Sequence, residues 1–415
     1  MSPKTVKRAS CLTASAVLII CGVAVLWFRS VGVPSEDMLF EKWRFRDVAL
    51  ALLLFFLAMA FFFASHGRQA SLAFWATVVP VFLFLVLLEG VGRVGIVDWD
   101  SLLERKLAFA NSPGWSLVPN ADVAGQTYQD IASLMQIPNN PIDFEFKTDE
   151  YGFRNSQNSS AGIIILGDSV VLGALVPKTH TVDSIASLEL KQPVMQAALL
   201  GLSIQEEQKM LLDSNLPLKD KLVIQFLFEG NDLSDSAEFR RSAHQQQDQT
   251  QVSKQSSFGR NLWSRLVRLS VPKDDLSCKI DDTDYLFLWT RKSFAGLENE
   301  FLAIAAEIEI FREHLTRAGA EYALVFVPTK YRVLHELCVF PEGSTISSPE
   351  ENLSDLPDTV TSWANDAGIA FLDLTKPLQD AALSGNLPWF WGDTHWNVEG
   401  HRVAGTSLAE WLKNQ

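Results

Sequence analysis

The chain of 415 residues is long enough for two or three domains, or for one large domain with a membrane part, and length alone does not choose. Its formal charge is −14, and nine basic against five acidic residues in the first 97 leave −18 on the remainder. That acidity repels phosphate backbones and excludes nucleic acid as a partner; otherwise it implies only solubility.

Apolar residues crowd the first hundred positions. Three windows, 12–28, 48–65 and 71–91, are each about long enough to cross a ~30 Å hydrocarbon core, and the second carries no charge. Lys4, Lys7 and Arg8 precede the first window, so a cleaved signal peptide is its rival, but "VLWFRSVG" offers no small-residue cleavage site. The same basic residues favour a cytoplasmic N-terminus, and three crossings then deliver the rest of the chain outside. Arg29, Lys42, Arg44 and Arg46 in the next loop oppose that orientation by the positive-inside count. The expectation is a membrane region over 1–97. Cys278 and Cys338 are the only cysteines beyond it, and either one disulfide or two buried thiols fits. No CxxC or other metal-ligand spacing occurs, so neither metal nor cofactor is expected.

Residues 98–160 are rich in turn formers and read as a connecting region. From Gly162 short apolar runs alternate with helical stretches: "GIIIL" at 162–166, "PVMQAAL" at 193–199, "KLVIQFLF" at 221–228, "YALVFV" at 322–327 and "IAFLDL" at 369–374. Strands apolar throughout and separated by helices predict a parallel sheet covered on both faces, filling a domain over 161–415. Between "KLVIQFLF" and "YALVFV" lies an insertion at about 235–295, whose centre "AHQQQDQTQVSKQSS" reads as a polar surface loop or a lid. A helix at about 298–318 then carries Phe301, Ile304, Ile308, Phe311 and Leu315 on one face as core, and Gly319 ends it.

The chemistry gathers at strand ends. The first strand runs into Gly167-Asp168-Ser169 and the third into Gly230-Asn231-Asp232. In a sheet of order 2-1-3-4-5 those ends are neighbours at the switch point, where ligand crevices form. Ser169 is then an exposed nucleophile in need of a base, and the Asn231 amide a donor to a developing oxyanion. Gly201, after the second strand, is either a further oxyanion donor through its N–H or a plain turn residue. The base comes from "WGDTHWN": His395 can carry the proton while Asp393 fixes its tautomer, with Asn397 capping a final helix over about 398–412. His401 is the rival histidine. Trp391 and Trp396 suit packing of this loop, or a sugar-stacking wall.

The ordered set Gly167-Asp168-Ser169, Gly201, Gly230-Asn231-Asp232 and Asp393-Thr394-His395 resembles the SGNH hydrolase superfamily, also called GDSL-type esterases, over about 160–415. The resemblance implies a flavodoxin-like α/β/α fold. It also implies Ser169, Asp393 and His395 as triad, and Ser169 N–H, Gly201 N–H and the Asn231 side chain as oxyanion hole. "DTHWNVEGHRVAG", "VPTKYRV" and "DEYGFRN" are similar to the branch containing bacterial alginate O-acetylation proteins and related polysaccharide acyltransferases. One departure is Gln196, where the second block of the family usually carries an asparagine.

The combined expectation is a multi-pass inner-membrane enzyme of the bilayer whose periplasmic domain acts on O-acyl esters of an extracellular or cell-wall polysaccharide. Hydrolysis and transfer share every residue named, and transfer requires a separate membrane acyltransferase partner to supply the acyl group. Two further readings stay open: a non-catalytic glycan-binding or assembly component on the same fold, and a lipid or small-ester hydrolase facing the cytoplasm.

Overall fold

The computed structural model describes residues 11–21, 23, 38–39, 43–93, 119–135, 137–155, 161–247, 276–288, 290, 298–344, 346–349 and 353–415. The chain divides into two compact units, one of residues 1–108, 136–139 and 249–270, the other of 109–135, 140–248 and 271–415.

The first unit holds a helix over residues 11–21 (α1), a two-residue antiparallel pair (β1, Met38–Leu39; β2, Trp43–Arg44), α2 (Phe45–Ser65) and α3 (Arg68–Arg93). Runs of Leu, Ala, Met and Phe without glycine or proline make α2 a strong helix former. Phe74 of α3 lies 5.5 Å and 5.6 Å, ring to ring, from Phe56 and Phe63 of α2. Counting only residues whose side chains are described, no helix is long and apolar enough to cross a membrane. The far end of the first expected window, beyond residue 23, lies outside the described residues. The described residues therefore do not support the expected three-crossing region.

The second unit opens on an antiparallel hairpin, β3 (Asp122–Thr127) with β4 (Ile142–Lys147), and α4 (Asp130–Leu134) lies between them in sequence. The connecting region thus contains ordered structure that periodicity did not reveal. A sheet follows, interleaved with helices: β5 (Ile163–Gly167), α5 (Ser169–Leu172), α6 (Val182–Leu190), β6 (Val194–Ala198), α7 (Ile204–Asp213), β7 (Leu222–Phe228) and α8 (Asp232–Gln247). A second hairpin, β8 (Ser277–Ile280) with β9 (Thr283–Leu286), precedes α9 (Glu298–Arg317), β10 (Glu321–Val327), α10 (Lys330–Leu334), α11 (Leu356–Asp366), β11 (Ala370–Asp373), α12 (Thr375–Leu383) and α13 (Val398–Lys413). The strands form one parallel sheet in the order β11-β10-β7-β5-β6, the 2-1-3-4-5 arrangement expected.

Alternation sorts the strand residues between two cores. Ile163, Ile165, Ile224, Phe226 and Val325 face one side with Val182 of α6 and Leu408 of α13. Ile164, Leu166, Val223, Leu227 and Leu324 face the other with Met210 of α7, Val360 of α11 and the α9 stripe, all five of whose apolar residues are buried. Both faces being covered explains why the strands are apolar throughout. Cys278 and Cys338 form a disulfide that ties β8 to the segment after α10, beside paired backbone bonds between Lys279 and Val339. Residues 248–275, the core of the Gln-rich insertion, lie outside the described residues.

Candidate active site

Ser169 sits at the carboxyl end of β5, on the first turn of α5, and is half-buried. Tight packing builds this turn: a Cβ on Gly167 would fall 2.5 Å from the Val171 side chain. Asp168 caps α5 by accepting from the Val170 N–H at 2.9 Å, and Gly173 ends the helix at φ +62°. Arg154 of "DEYGFRN" is 1% exposed and gathers the backbone leaving the turn. It donates to the carbonyls of Leu172 (3.1 Å), Gly173 (2.6 Å) and Val176 (2.9 Å) and lies over the Phe146 ring at 4.3 Å. Burial pushes its guanidinium down to about 10, so it stays charged at neutral pH.

The expected base pair is formed. His395 Nδ1 lies 2.6 Å from Asp393 Oδ1, which also accepts the His395 backbone N–H at 2.8 Å. The carboxylate is 1% exposed, whereas the imidazole keeps 21% of its surface, so Nδ1 is held and Nε2 is left for chemistry. Burial by itself lowers the imidazole pKa, but the charge and hydrogen bond of Asp393, then Asp130 and Asp168, outweigh it and raise it to about 9. Asp168, pushed up to about 6 chiefly by burial, is held down in part by His395.

Two residues from outside the expected site complete the loop's setting. Asp130 is also near the imidazole, its Oδ2 3.8 Å from Nδ1. Its backbone N–H donates to Asp393 Oδ2 at 2.8 Å, and its carboxylate accepts the Thr394 N–H at 2.9 Å and the Thr394 hydroxyl. Gln129 Oε1 accepts the Gly392 N–H at 2.8 Å, and a Cβ on Gly392 would meet Ala132 at 2.8 Å, so the close approach requires glycine. Ligand atoms of Asp130, Asp393 and His395 fall within 4.8 Å of one another. Asp393 accepts the N–H donors named here, and Asp130 the N–H and O–H of Thr394. The positions adjoin through contacts 263 and 264 residues apart in sequence, where no local pattern signals them.

Lys330 of "VPTKYRV" reaches the same loop from the end of β10. It is 4% exposed, and its ammonium donates to the carbonyls of Phe390 (2.7 Å), Trp391 (2.8 Å) and Asp393 (3.2 Å). Burial lowers its pKa to about 7, with Asp393 and Asp130 opposing. Its neighbours Thr329 and Arg332 bind Glu229, just before Gly230-Asn231. Glu229 Oε2 accepts from Thr329 N (2.9 Å) and Oγ1 (3.1 Å) and, with Oε1, from Arg332 Nε (2.9 Å and 3.0 Å).

Asn231 stands at the end of β7, half-buried, and its Nδ2 donates to Asp235 Oδ2 at 2.6 Å, which leaves the amide's second N–H. Gly201 is exposed, at φ +65° with open space above its Cα, a conformation that favours glycine whether or not its N–H is used. Gln196 lies inside β6, buried, donating to the Arg154 carbonyl at 3.2 Å, and so belongs to the core.

His401, the rival base, is fully buried against Trp396, and burial lowers its pKa to about 3. A Cβ on Gly173 would lie 2.8 Å from its ring; it packs α13 under the serine helix as a neutral side chain. Trp396 is likewise fully buried and packs the loop with Trp389, while Trp391 is half-buried against the same core. Asn397 caps α13 as expected, accepting from Glu399 N (2.8 Å) and Gly400 N (3.1 Å).

A parallel sheet of this order, with a serine turn, an asparagine block and an Asp–His loop toward its carboxyl ends, makes this an α/β domain. Residues 283–415 match the family described as the SGNH hydrolase-like domain of the acetyltransferase AlgX, a span that includes Lys330, Asp393 and His395 and begins after Ser169, Gly201 and Asn231. Similar solved structures include the acetyl xylan esterase AlAXEase (13% identity, 61% of this chain and 98% of that one, TM-score 0.33). Others are a lipase/acylhydrolase from Enterococcus faecalis (14%, 61% and 96%, 0.32) and a GDSL-like lipase from Bacteroides thetaiotaomicron VPI-5482 (11%, 61% and 87%, 0.31). No curated protein matches the chain at a significant level.

Proposed function

We propose that this protein is a serine esterase or O-acyltransferase acting on acyl esters, O-acetyl groups of an extracellular or cell-wall polysaccharide in particular. The observation that carries the chemistry is the 2.6 Å contact between buried Asp393 and His395 Nδ1. Held at Nδ1, the imidazole presents Nε2 to take the serine proton. Ser169 Oγ adds to the acyl carbonyl, and the oxyanion is met by the N–H groups of Ser169 and Gly201 and the free amide hydrogen of Asn231. Collapse breaks the ester bond, and His395 returns the proton to the departing alcohol, leaving an acyl-serine. A second alcohol or water, deprotonated by His395, attacks that ester and regenerates Ser169. Water gives hydrolysis; a sugar hydroxyl gives transfer.

The match over 283–415 to an acetyltransferase's domain supports transfer, and the polysaccharide acceptor rests on the sequence resemblance alone. A separate membrane acyltransferase would deliver the acyl donor. We place the domain outside the cytoplasm of a bacterial cell, on an N-terminal membrane anchor. Supporting this, the sequence from Val48 to Ser65 carries no charge. Leu53, Met59, Phe61, Leu72, Leu83 and Phe84 of α2 and α3 are exposed large apolar side chains of the kind a bilayer covers.

An acetyl-ester assay with and without oligosaccharide tests the reading. Acetylated sugar formed only with Ser169 intact is the expected product; acetate release indifferent to acceptor would restrict the enzyme to hydrolysis.

A further inference from the structure

We propose that Lys330 is a positioning residue that sets the catalytic loop, an inference that rests on the Ser169–His395–Asp393 reading. A buried ammonium is costly unless each of its hydrogens is accepted. Here three carbonyls, of Phe390, Trp391 and Asp393, lie within 3.2 Å of Nζ, one for each N–H of a charged lysine; a neutral amine has only two. The carbonyls belong to the residues leading into His395, so their convergence on one atom fixes the path of the backbone that carries Asp393. The rings of Tyr285 and Phe287, at 5.2 Å and 5.6 Å, close the cavity around the charge.

The same short helix faces the other half of the site. Thr329 and Arg332, on either side of Lys330, hold Glu229, two residues before Asn231, and Arg332 also donates to the Ser354 carbonyl at 2.7 Å. One five-residue element, α10, therefore grips both the loop of the base and the block of the oxyanion donor. Lys330 contributes by placing Asp393 and His395 relative to Asn231 and Ser169, and touches no reacting atom itself.

The test compares the full-length protein with Lys330→Met, which keeps the stem and removes every donor, and Lys330→Gln, which keeps two. Two quantities are read: steady-state turnover of an acetyl ester, and the low-field proton resonance of the His395 Nδ1–H bonded to Asp393. Lys330→Met is expected to lose about tenfold or more in kcat, with KM within about twofold, because misplacement of a base taxes the chemical step rather than binding. Its low-field resonance moves or disappears, and Lys330→Gln falls between it and the parent. A methionine variant with parental kcat and resonance overturns the proposal. If that variant does not fold, the glutamine variant decides: parental values in it are equally contrary. Ser169→Ala run alongside keeps the two readings apart. Its undiminished turnover would remove the serine mechanism, while the resonance would still report on Lys330.

Discussion

Residue by residue, the proton chemistry follows from His395. Its pKa of about 9 lies above that of a free imidazole, so the neutral base accumulates only as pH rises through about 9, and kcat/KM should climb to a plateau there. Asp130 is one of the charges that raise it. Asp130→Asn should therefore shift the rising limb of the kcat/KM profile to lower pH; a limb that stays in place would deny Asp130 an electrostatic role. The pair also contributes stability, and the signs differ. The raised His395 stabilises the fold fully below about 6.5 and ceases to as pH passes about 9; the lowered Asp393 stabilises above its ordinary range and ceases to in acid. Asp393 and His395 were legible because they lie two residues apart, and Asn397 because a cap is local. Asp130, Gln129, Arg154 and Lys330 were not, since the bonds that tie them to the loop and the serine turn reach from 18 to 264 residues along the chain.

Among the elements, α7 and the two strand-end blocks enclose a group of buried acids: Asp168, Glu207 and Asp232. Each keeps one buried oxygen without a hydrogen-bond partner among the described residues. Burial raises all three, Asp168 to about 6 and the others well above their usual range; repulsion adds to it, from Asp232 and Asp168 on Glu207, from Asp168 on Asp232 and from Asp235 on Asp168. A carboxyl whose folded pKa is raised stabilises the fold below its unfolded value, and that benefit drains away as pH rises toward the folded one. Glu207→Gln should thus be more stable than the parent at pH 8 and equal to it near pH 4, with a slope of up to ~1.4 kcal/mol per pH unit. Urea melts at the two pH values measure this, and a variant weaker at pH 8 would contradict it. The second hairpin makes a separate prediction. Cys278–Cys338 closes a separation of 60 residues, for which loop entropy gives about 4 kcal/mol. β9 in turn supplies the Leu286 N–H to the Trp391 carbonyl at 2.8 Å and a ring to Lys330. Reduction should lower both the unfolding midpoint and kcat; a reduced protein with unchanged turnover would separate the hairpin from the loop. The strands themselves were readable because a doubly covered parallel sheet needs continuous apolar runs. The β3–β4 hairpin was not, because its alternation, as in the half-buried "IDFEFK" of β4, is short and set among turn formers.

For the whole molecule, the proposal of an exported catalytic domain on a membrane anchor predicts where a fusion would report. An enzyme joined after residue 97 should be active only if its folding requires the extracytoplasmic side; activity of a cytoplasm-dependent reporter would reverse the orientation. The sequence was strongest where neighbours in space are neighbours in the chain or at successive strand ends, and it gave the strand order of the sheet by topology alone. It could not show that the turn-rich stretch before the first sheet strand folds back to hold both halves of the site, through Gln129 and Asp130 on the loop and Arg154 on the serine turn. The most direct measurement of the central claim is mass spectrometry of the protein quenched during turnover of an acetyl ester. An acetyl group on the peptide containing Ser169, absent from the Ser169→Ala variant, which should also lose turnover, is the result predicted. Acetate production that continues in Ser169→Ala, with no acylated serine in the parent, would contradict it.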